Sequence, residues 1–391
     1  MGCIVCSQHG KIIIPNQVRN NIKYPSKAKL QIKQKDPTGR QIGVSTVSFD
    51  FTKPFLFSAE TLNLPYASHV SRCVLPGIDP RGERDKKCQD YCLYISNQKT
   101  ILLGLFDGHG KEGEKIVSSC AGVSEGFFKE NIENYSENPE KFLEDLCNTC
   151  DANVKKVGNG IDSTNSGSTA VLVLIHNNKI YSASLGDSRA VLATELLPDV
   201  LPVPKALNHD DSKHLYINSI GLYPVQLTKD QKPEDPDEYA RILKCGGFIK
   251  RISDNGKQIG PYRVFDSSGK YPGLAMSRSI GDSSGSSLGV ISTPICTSLN
   301  ITGKEKFIIL ASDGVWDVID NEDVITFIEG YRKKCLSICE IPLQVEATNT
   351  IIAQLLAEEA RMRWLKVIME EDVMIDDISV VIMQFSETSQ G

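Results

Sequence analysis

The sequence is poor in several features that would place it in a special class. Its longest unbroken apolar run, Ala170 to Ile175, is six residues, whereas a membrane-spanning helix needs about 20. A transmembrane helix is therefore excluded. Residues 2–10 include Cys3, Cys6, His9 and Gly10 and lack the apolar stretch of a secretory leader. With no leader, and with 12 cysteines scattered over 391 residues, a disulfide scaffold is not expected. Most thiols should be reduced and buried. Cys147-Asn-Thr-Cys150 has redox or zinc spacing, but no second pair accompanies it, and two cysteines on a helix is the simpler reading. Repeats and low-complexity blocks are missing too, which excludes a collagenous or fully disordered chain.

What is present suits a folded protein with a full core: 40% apolar and 24% charged residues. The length allows one large domain with extensions, or two domains. Charge is uneven. Residues 1–49 hold eight Lys/Arg against Asp36 alone, so that segment is +7; with the whole chain at −6, the remaining 342 residues carry −13. A basic arm (1–49) on an acidic body (50–391) suggests an anionic surface as the arm's partner. The arm lacks interleaved aromatics, so no nucleic-acid partner is expected. Its first residues, Met-Gly-Cys-Ile-Val-Cys-Ser, offer Gly2 for N-myristoylation, although Cys6 stands where Ser or Thr is usual. One acyl chain anchors only marginally. Cys3 and Cys6 as palmitoylation sites, or the basic arm itself, would supply the second signal. The expected location is cytoplasmic, partly on the cytoplasmic face of a membrane.

From about residue 90 short apolar runs alternate with polar breaks. Strands are predicted at 91–95, 101–106, 170–175, 180–183, 190–193, 307–311 and 378–385, with helices over 111–131 and 347–369. Several strands are only four to six residues apart, with Asn177-Asn178-Lys179 as a hairpin turn. The pattern is α+β. Residues 194–225, with four prolines, are predicted as a surface insertion.

Two apolar strands run into acid-glycine pairs, Asp107-Gly108 and Asp313-Gly314. A carboxylate at the end of a buried strand is costly unless paired or metal-bound, and the glycine lets the backbone carbonyl come close enough to act as a ligand. Asp376-Asp377 precedes the last strand and Gln89-Asp90 opens the first. Acids distant in sequence, with little His or Cys beside them, make an oxygen-rich site suited to Mg²⁺ or Mn²⁺ rather than zinc.

These residues belong to an ordered series. Asp107-Gly-His-Gly, Ser166-Gly-Ser-Thr-Ala, Leu185-Gly-Asp-Ser-Arg-Ala, Leu227-Thr-Lys-Asp-Gln-Lys-Pro and Gly246-Gly come first. Leu274-Ala-Met-Ser-Arg-Ser-Ile-Gly-Asp, Ala311-Ser-Asp-Gly-Val-Trp-Asp and Asp376-Asp-Ile-Ser follow. From about residue 70 to 386 the series resembles the metal-dependent serine/threonine protein phosphatases of type 2C. The resemblance implies a four-layer sandwich of two antiparallel β-sheets flanked by α-helices, with two Mg²⁺ or Mn²⁺ ions at one end of the sheets. It implies that Asp107 bridges both ions, that the Gly108 carbonyl, Asp313 and Asp376 are direct ligands, and that Asp90 acts through water, as would Gln89. Asp317 resembles a ligand of a third, weaker ion, whose other usual acid falls near Thr164, with Asp162 two residues away. Asp187 and Asp282 carry family motifs without an assigned metal role. The phosphate-binding basic residue would be Arg84, Lys86 or Lys87, between which spacing does not choose.

The implied reaction is attack on phosphoserine or phosphothreonine of protein substrates by metal-activated water, with His109 protonating the leaving oxygen. No covalent intermediate, and so no Cys-x5-Arg loop, is expected. A calcineurin-like metallophosphoesterase, echoed by Asp107-x-His109, Gly186-Asp187 and Asn208-His209-Asp210, would need two further histidines after His209, and only His214 remains. The rival from another class is a pseudophosphatase acting as a regulatory module, which the retained acids disfavour. Residues 227–274 resemble the family's flap beside the active site. Their acids Glu234, Asp235, Asp237 and Glu238 suit either a solvated loop or contacts to basic phosphopeptides. A monomer is expected.

Overall fold

The computed structural model describes residues 27–35, 41–50, 56–62, 67–78, 87–195, 221–254, 256–338, 342–370 and 374–386. Strands β1 (Lys27–Lys35) and β2 (Gln41–Asp50) pair antiparallel as a sheet of their own, so the basic arm contains a hairpin. Next come β3 (Leu56–Thr61), β4 (Ala67–Leu75), β5 (Asp90–Ser96) and β6 (Ile101–His109). Helices α1 (Gly113–Asn131) and α2 (Pro139–Val154) precede β7 (Gly167–Ser168), β8 (Ala170–His176), β9 (Lys179–Leu185), β10 (Arg189–Thr194) and β11 (Tyr223–Gln226). A smaller unit follows: α3 (Pro236–Lys244), β12 (Phe248–Asp254), β13 (Lys257–Phe265) and β14 (Pro272–Leu274). The chain closes with β15 (Ile280–Gly281), α4 (Ser283–Ser286), β16 (Ile295–Asn300), β17 (Glu305–Ala311), α5 (Asp313–Trp316), α6 (Asn321–Ile338), α7 (Pro342–Glu370) and β18 (Ile378–Phe385).

Two large sheets result, in the orders β11-β10-β17-β18-β4-β3 and β15-β7-β6-β8-β9-β16, with β5 also on β6. All their ladders are antiparallel. Side-chain alternation explains the layers. In β8, Val171, Val173 and Ile175 face a central core that also takes Leu103 and Leu105 of β6 and Ile308 and Leu310 of β17. The intervening Leu172 and Leu174 point outward to Ile116 of α1 and to Phe142 and Leu146 of α2. Ile309, Val380 and Ile382 likewise meet Ile325 of α6 and Ile352 and Leu356 of α7. Strands buried on both faces must be apolar at every position, which is why their runs stand out in the sequence. The four-layer α+β sandwich is as expected.

The turn between β8 and β9 is also as expected: Asn177 and Asn178 take φ of 47° and 59°, the left-handed pair that a two-residue hairpin requires. Three differences have physical causes. First, β6 does not stop at Phe106. Its ladder continues through Gly108↔Ser168 and His109↔Gly167, so Asp107 lies within the strand. Second, both ends of the insertion predicted over 194–225 are strand, because Thr194 belongs to β10, and Tyr223 and Val225 alternate into the core from β11, while 196–220 lie outside the described residues. Pro224 is tolerated there because β11 is an edge strand. Third, α6 and β4 were not expected from the sequence, whereas α2 is the helix expected around Cys147 and Cys150. Cys147 and Cys150 lie in α2, buried, and no disulfide occurs among the described residues. No described helix is long and apolar enough to cross a membrane.

Candidate active site

The carboxylates gather where strands of both sheets end. Register sets Asp90 of β5 directly opposite Asp107 of β6. The Gly108 N–H donates to the Gln89 carbonyl at 2.9 Å, and a Cβ on Gly108 would lie 2.6 Å from that oxygen. Only glycine lets the two strands close here. From the other sheet, β17 delivers Asp313 to the start of α5. Ser312 ties this corner to β18, its N–H donating to the Ser379 carbonyl at 3.2 Å and its hydroxyl accepting from the Ser379 N–H at 3.1 Å. Asp377 clamps the chain on both sides of residues 79–86: one carboxylate oxygen accepts from the Gly77 N–H, the other from the Gln89 N–H at 2.9 Å. Asp376, exposed, accepts from the Asp377 N–H at 2.8 Å.

Electrostatics binds these acids into one group. Burial, and then the charges of Asp90, Asp313, Asp376 and Asp187, push the Asp107 carboxyl well above the ordinary range. Asp313 is raised likewise by burial and by Asp187, Asp376 and Asp317, against the opposing pull of Lys232. Asp317 is raised mainly by burial. Buried oxygens of Asp313 and Asp187 (Oδ1 in each) have no hydrogen-bond partner among the described residues. The donor set is therefore all oxygen, partly desolvated and self-repelling. This is the condition that a hard divalent cation relieves. As the side chains stand, no three His, Cys, Asp or Glu among the described residues are arranged to hold a metal ion. The fit lies in the chemistry of the donors, not in a closed ligand shell.

Two partners of the cluster escaped the sequence reading. Asp187, 2% exposed, pairs with Lys232 at 2.5 Å. Burial alone would depress the Lys232 ammonium, but Asp187 and Asp313 hold it above the usual lysine range. Asp282, fully buried, lies 2.7 Å from Nε2 of His109 and accepts from the Ser279 hydroxyl at 2.6 Å. Burial would lower the His109 pKa, but the Asp282 carboxylate beside it reverses this and raises it. Both acids sit in motifs visible in the sequence, whereas their partners lie 45 and 173 residues away.

Other predicted residues stand apart. Lys87 is solvent-exposed and faces Glu114 of α1 at 3.7 Å. Arg84, Lys86, Gly2, Cys3 and Cys6 lie outside the described residues. Asp162 caps its own turn, accepting from the Thr164 N–H at 3.0 Å. One pair does have the Cys-x5-Arg spacing that was not expected, Cys245 and Arg251. Cys245 closes α3, while Arg251 lies in β12 and donates from Nε to the Gly260 carbonyl at 2.6 Å. No phosphate-cradling loop joins them.

Fold and cluster together define a class: a four-layer α+β sandwich with carboxylates gathered where strands of both sheets end. The family model described as Protein phosphatase 2C matches residues 81–363. Similar curated proteins include probable protein phosphatase 2C 61 of Arabidopsis thaliana, 32% identical over 297 residues, covering 75% of this chain and 78% of that protein. Another is probable protein phosphatase 2C 48 of Oryza sativa subsp. japonica, 32% identical, covering 63% and 70%. Among solved structures, the serine-threonine phosphatase 2C from Toxoplasma gondii superposes with a TM-score of 0.61 at 17% identity, over 93% of this chain and all of that one. The chain belongs to the protein phosphatase 2C family. It is a protein serine/threonine phosphatase, and its substrates are phosphoproteins.

Proposed function

We propose that this chain hydrolyses phosphoserine and phosphothreonine in proteins at the Asp107 cluster, with Mg²⁺ or Mn²⁺ bound there. The single observation that supports this is the convergence of acids from separate strand ends, with Asp107 set opposite Asp90 and joined by Asp313, where neighbouring carboxylates push both Asp107 and Asp313 upward. Asp107, the Gly108 carbonyl, Asp313 and Asp376 would hold two ions, with Asp90 acting through water and Asp317 toward a third. Such ions supply Lewis acidity that acidifies water and neutralises phosphoryl charge. His109, with its pKa raised beside Asp282, holds the proton that the departing seryl or threonyl oxygen needs. A basic residue among Arg84, Lys86 and Lys87 would bind phosphate.

The test is turnover of a phosphothreonine peptide with Mn²⁺ or Mg²⁺ titrated in, against EDTA and the Asp107→Ala variant. Metal-dependent turnover that disappears in the folded variant supports the reading. A folded intact protein without turnover at millimolar metal would instead be a pseudophosphatase. We also propose that Gly2, with Cys3, Cys6 and the basic arm, attaches the enzyme to the cytoplasmic face of a membrane. Salt-insensitive vesicle binding by a Gly2→Ala variant would overturn that.

A further inference from the structure

Nine large apolar side chains are well exposed among the described residues, and seven fall between Tyr239 and Tyr271. This clustering is confined to the small unit of α3 and the β12-β13-β14 sheet. One face of that sheet is already occupied: Ile249 and Val264 pack with Ile242, Leu274, Met276 and Val290 in a separate minor core. The other face is defined by register. Phe248↔Phe265, Lys250↔Arg263 and, beyond a register shift after Arg251, Ile252↔Ile259 are cross-strand pairs on the side away from that core, where Phe265 is 5% exposed and Arg263 is half-buried, its Nη1 donating to the Gly273 carbonyl at 2.7 Å. Phe248 is 53% exposed, and Ile252 and Ile259 are comparably open. The Lys250 ammonium lies over the Phe265 ring at 4.9 Å. Apolar, basic and apolar rungs therefore alternate along the surface.

The charge of this unit runs against that of the molecule. Residues 244–274 hold six Lys/Arg against two Asp, on a body that is otherwise strongly acidic. None of Lys244, Lys250, Arg251, Arg263 and Lys270 forms an ion pair among the described residues. Of the four flap acids, Glu234 and Asp237 are exposed, whereas Asp235 and Glu238 are engaged. Glu238 is 3% exposed and bonds Arg241 at 2.6 Å, Arg278 at 2.6 Å and the Ser277 hydroxyl, while Asp235 faces Lys229 at 3.3 Å. The exposed acids, Glu234 and Asp237, lie just before α3 and in its first turn, not on β12 or β13.

We propose that the outer face of β12 and β13 is a docking surface for an acidic segment of the phosphoprotein substrate, one in which carboxylates alternate with large apolar side chains. Apolar side chains of such a segment cover Phe248, Ile252 and Ile259, and its carboxylates meet Lys250 and Arg263. The preference follows from charge complementarity over a surface whose apolar rungs gain from being covered. The inference deepens the phosphatase reading, on which it rests for the identity of the partner as a substrate.

The experiment uses the full chain and fluorescein-labelled 12-residue peptides without phosphate, one alternating Leu and Glu, one alternating Leu and Lys, read by anisotropy. The Glu peptide is expected to bind at least about tenfold tighter than the Lys peptide, and Lys250→Glu, or Phe248→Ser with Ile252→Ser, to weaken it by about tenfold. These positions are exposed, and thermal melts verify that the variants fold. In turnover, a phosphothreonine peptide carrying the Glu tail should show KM raised in the variants with kcat unchanged, and p-nitrophenyl phosphate should be hydrolysed as before. Equal binding of the two peptides overturns the proposal, as do variants that leave both anisotropy and KM unmoved. So does tighter capture of an oligonucleotide or anionic vesicle through the same residues, or dimerisation that Phe248→Ser abolishes. If the intact enzyme hydrolyses no phosphoester at all, the phosphatase reading fails, while anisotropy still decides the docking surface.

Discussion

The acid centre and the small β12-β13-β14 sheet are built on opposite terms. At the centre, each carboxylate is held by strands that continue into two large sheets, with cores on both faces of each sheet. That frame tolerates unfavourable chemistry, namely several buried acids that raise one another's pKa. The small sheet rests on one minor core and an ion network around Glu238, and it leaves large apolar side chains in water. Self-repelling groups need a scaffold that cannot relax away from them. A recognition surface needs only to be held from behind.

The contrast can be broken from either side, and the largest effect is expected at the centre. Asp313→Ala should cut phosphopeptide turnover by about 10³-fold or more, roughly 4 kcal/mol of transition-state stabilisation. The thermal midpoint of the metal-free protein should not fall, because a desolvated, repelled carboxylate has been removed. A large drop in midpoint would show that the acid stabilises the fold. Next comes the base of the small sheet. Glu238→Ala strands Arg241 and Arg278 and should cost about 3–5 kcal/mol, read as faster hydrogen exchange over 236–290. Burial would raise the Glu238 pKa, but Arg278, Arg241 and Ser277 bring it down to about 2. Its contribution is thus present above the ordinary glutamate range and is lost as pH falls through about 2. Protection, relative to the intrinsic base-catalysed exchange rate, that falls on raising the pH from 5 to 7 would contradict this assignment.

A smaller effect separates chemistry from positioning within the centre. His109→Asn should slow a phosphothreonine peptide by about 10²-fold and p-nitrophenyl phosphate far less, since nitrophenolate leaves without a proton. Equal losses on both substrates would make His109 a structural residue. The smallest effect lies on the outer face of the small sheet: Phe248→Ser should shift stability by no more than about 0.5 kcal/mol, as measured by chemical denaturation. A larger loss would mean that this face packs against the body.

Much of this was legible because of burial on both faces. All seven predicted strands occur, displaced at most a few residues at their ends, since β8, β17 and β18 are apolar at nearly every position. β4 was not legible, because Ala67-Ser-His-Val-Ser-Arg-Cys-Val-Leu mixes polar side chains into a central strand, where Arg72 reaches Ser58 and the Cys92 carbonyl. At the centre, the acid-glycine motifs announced Asp107 and Asp313. The flap acids were legible as charge but not as direction, and Glu238 points inward.

Local patterns alone determined seven of the strands, where the β8–β9 hairpin turns, and which acids end buried runs, because those features depend on neighbours one to four residues away. Tertiary structure alone decided that Asp282 addresses His109 and that Lys232 addresses Asp187. It also decided that Asp377 clamps the approach to Asp90, and that apolar and basic rungs share the open face of the small sheet. The first three relations join residues 45 to 300 positions apart, and only the assembly of distant strands and loops brings them within a hydrogen bond's reach.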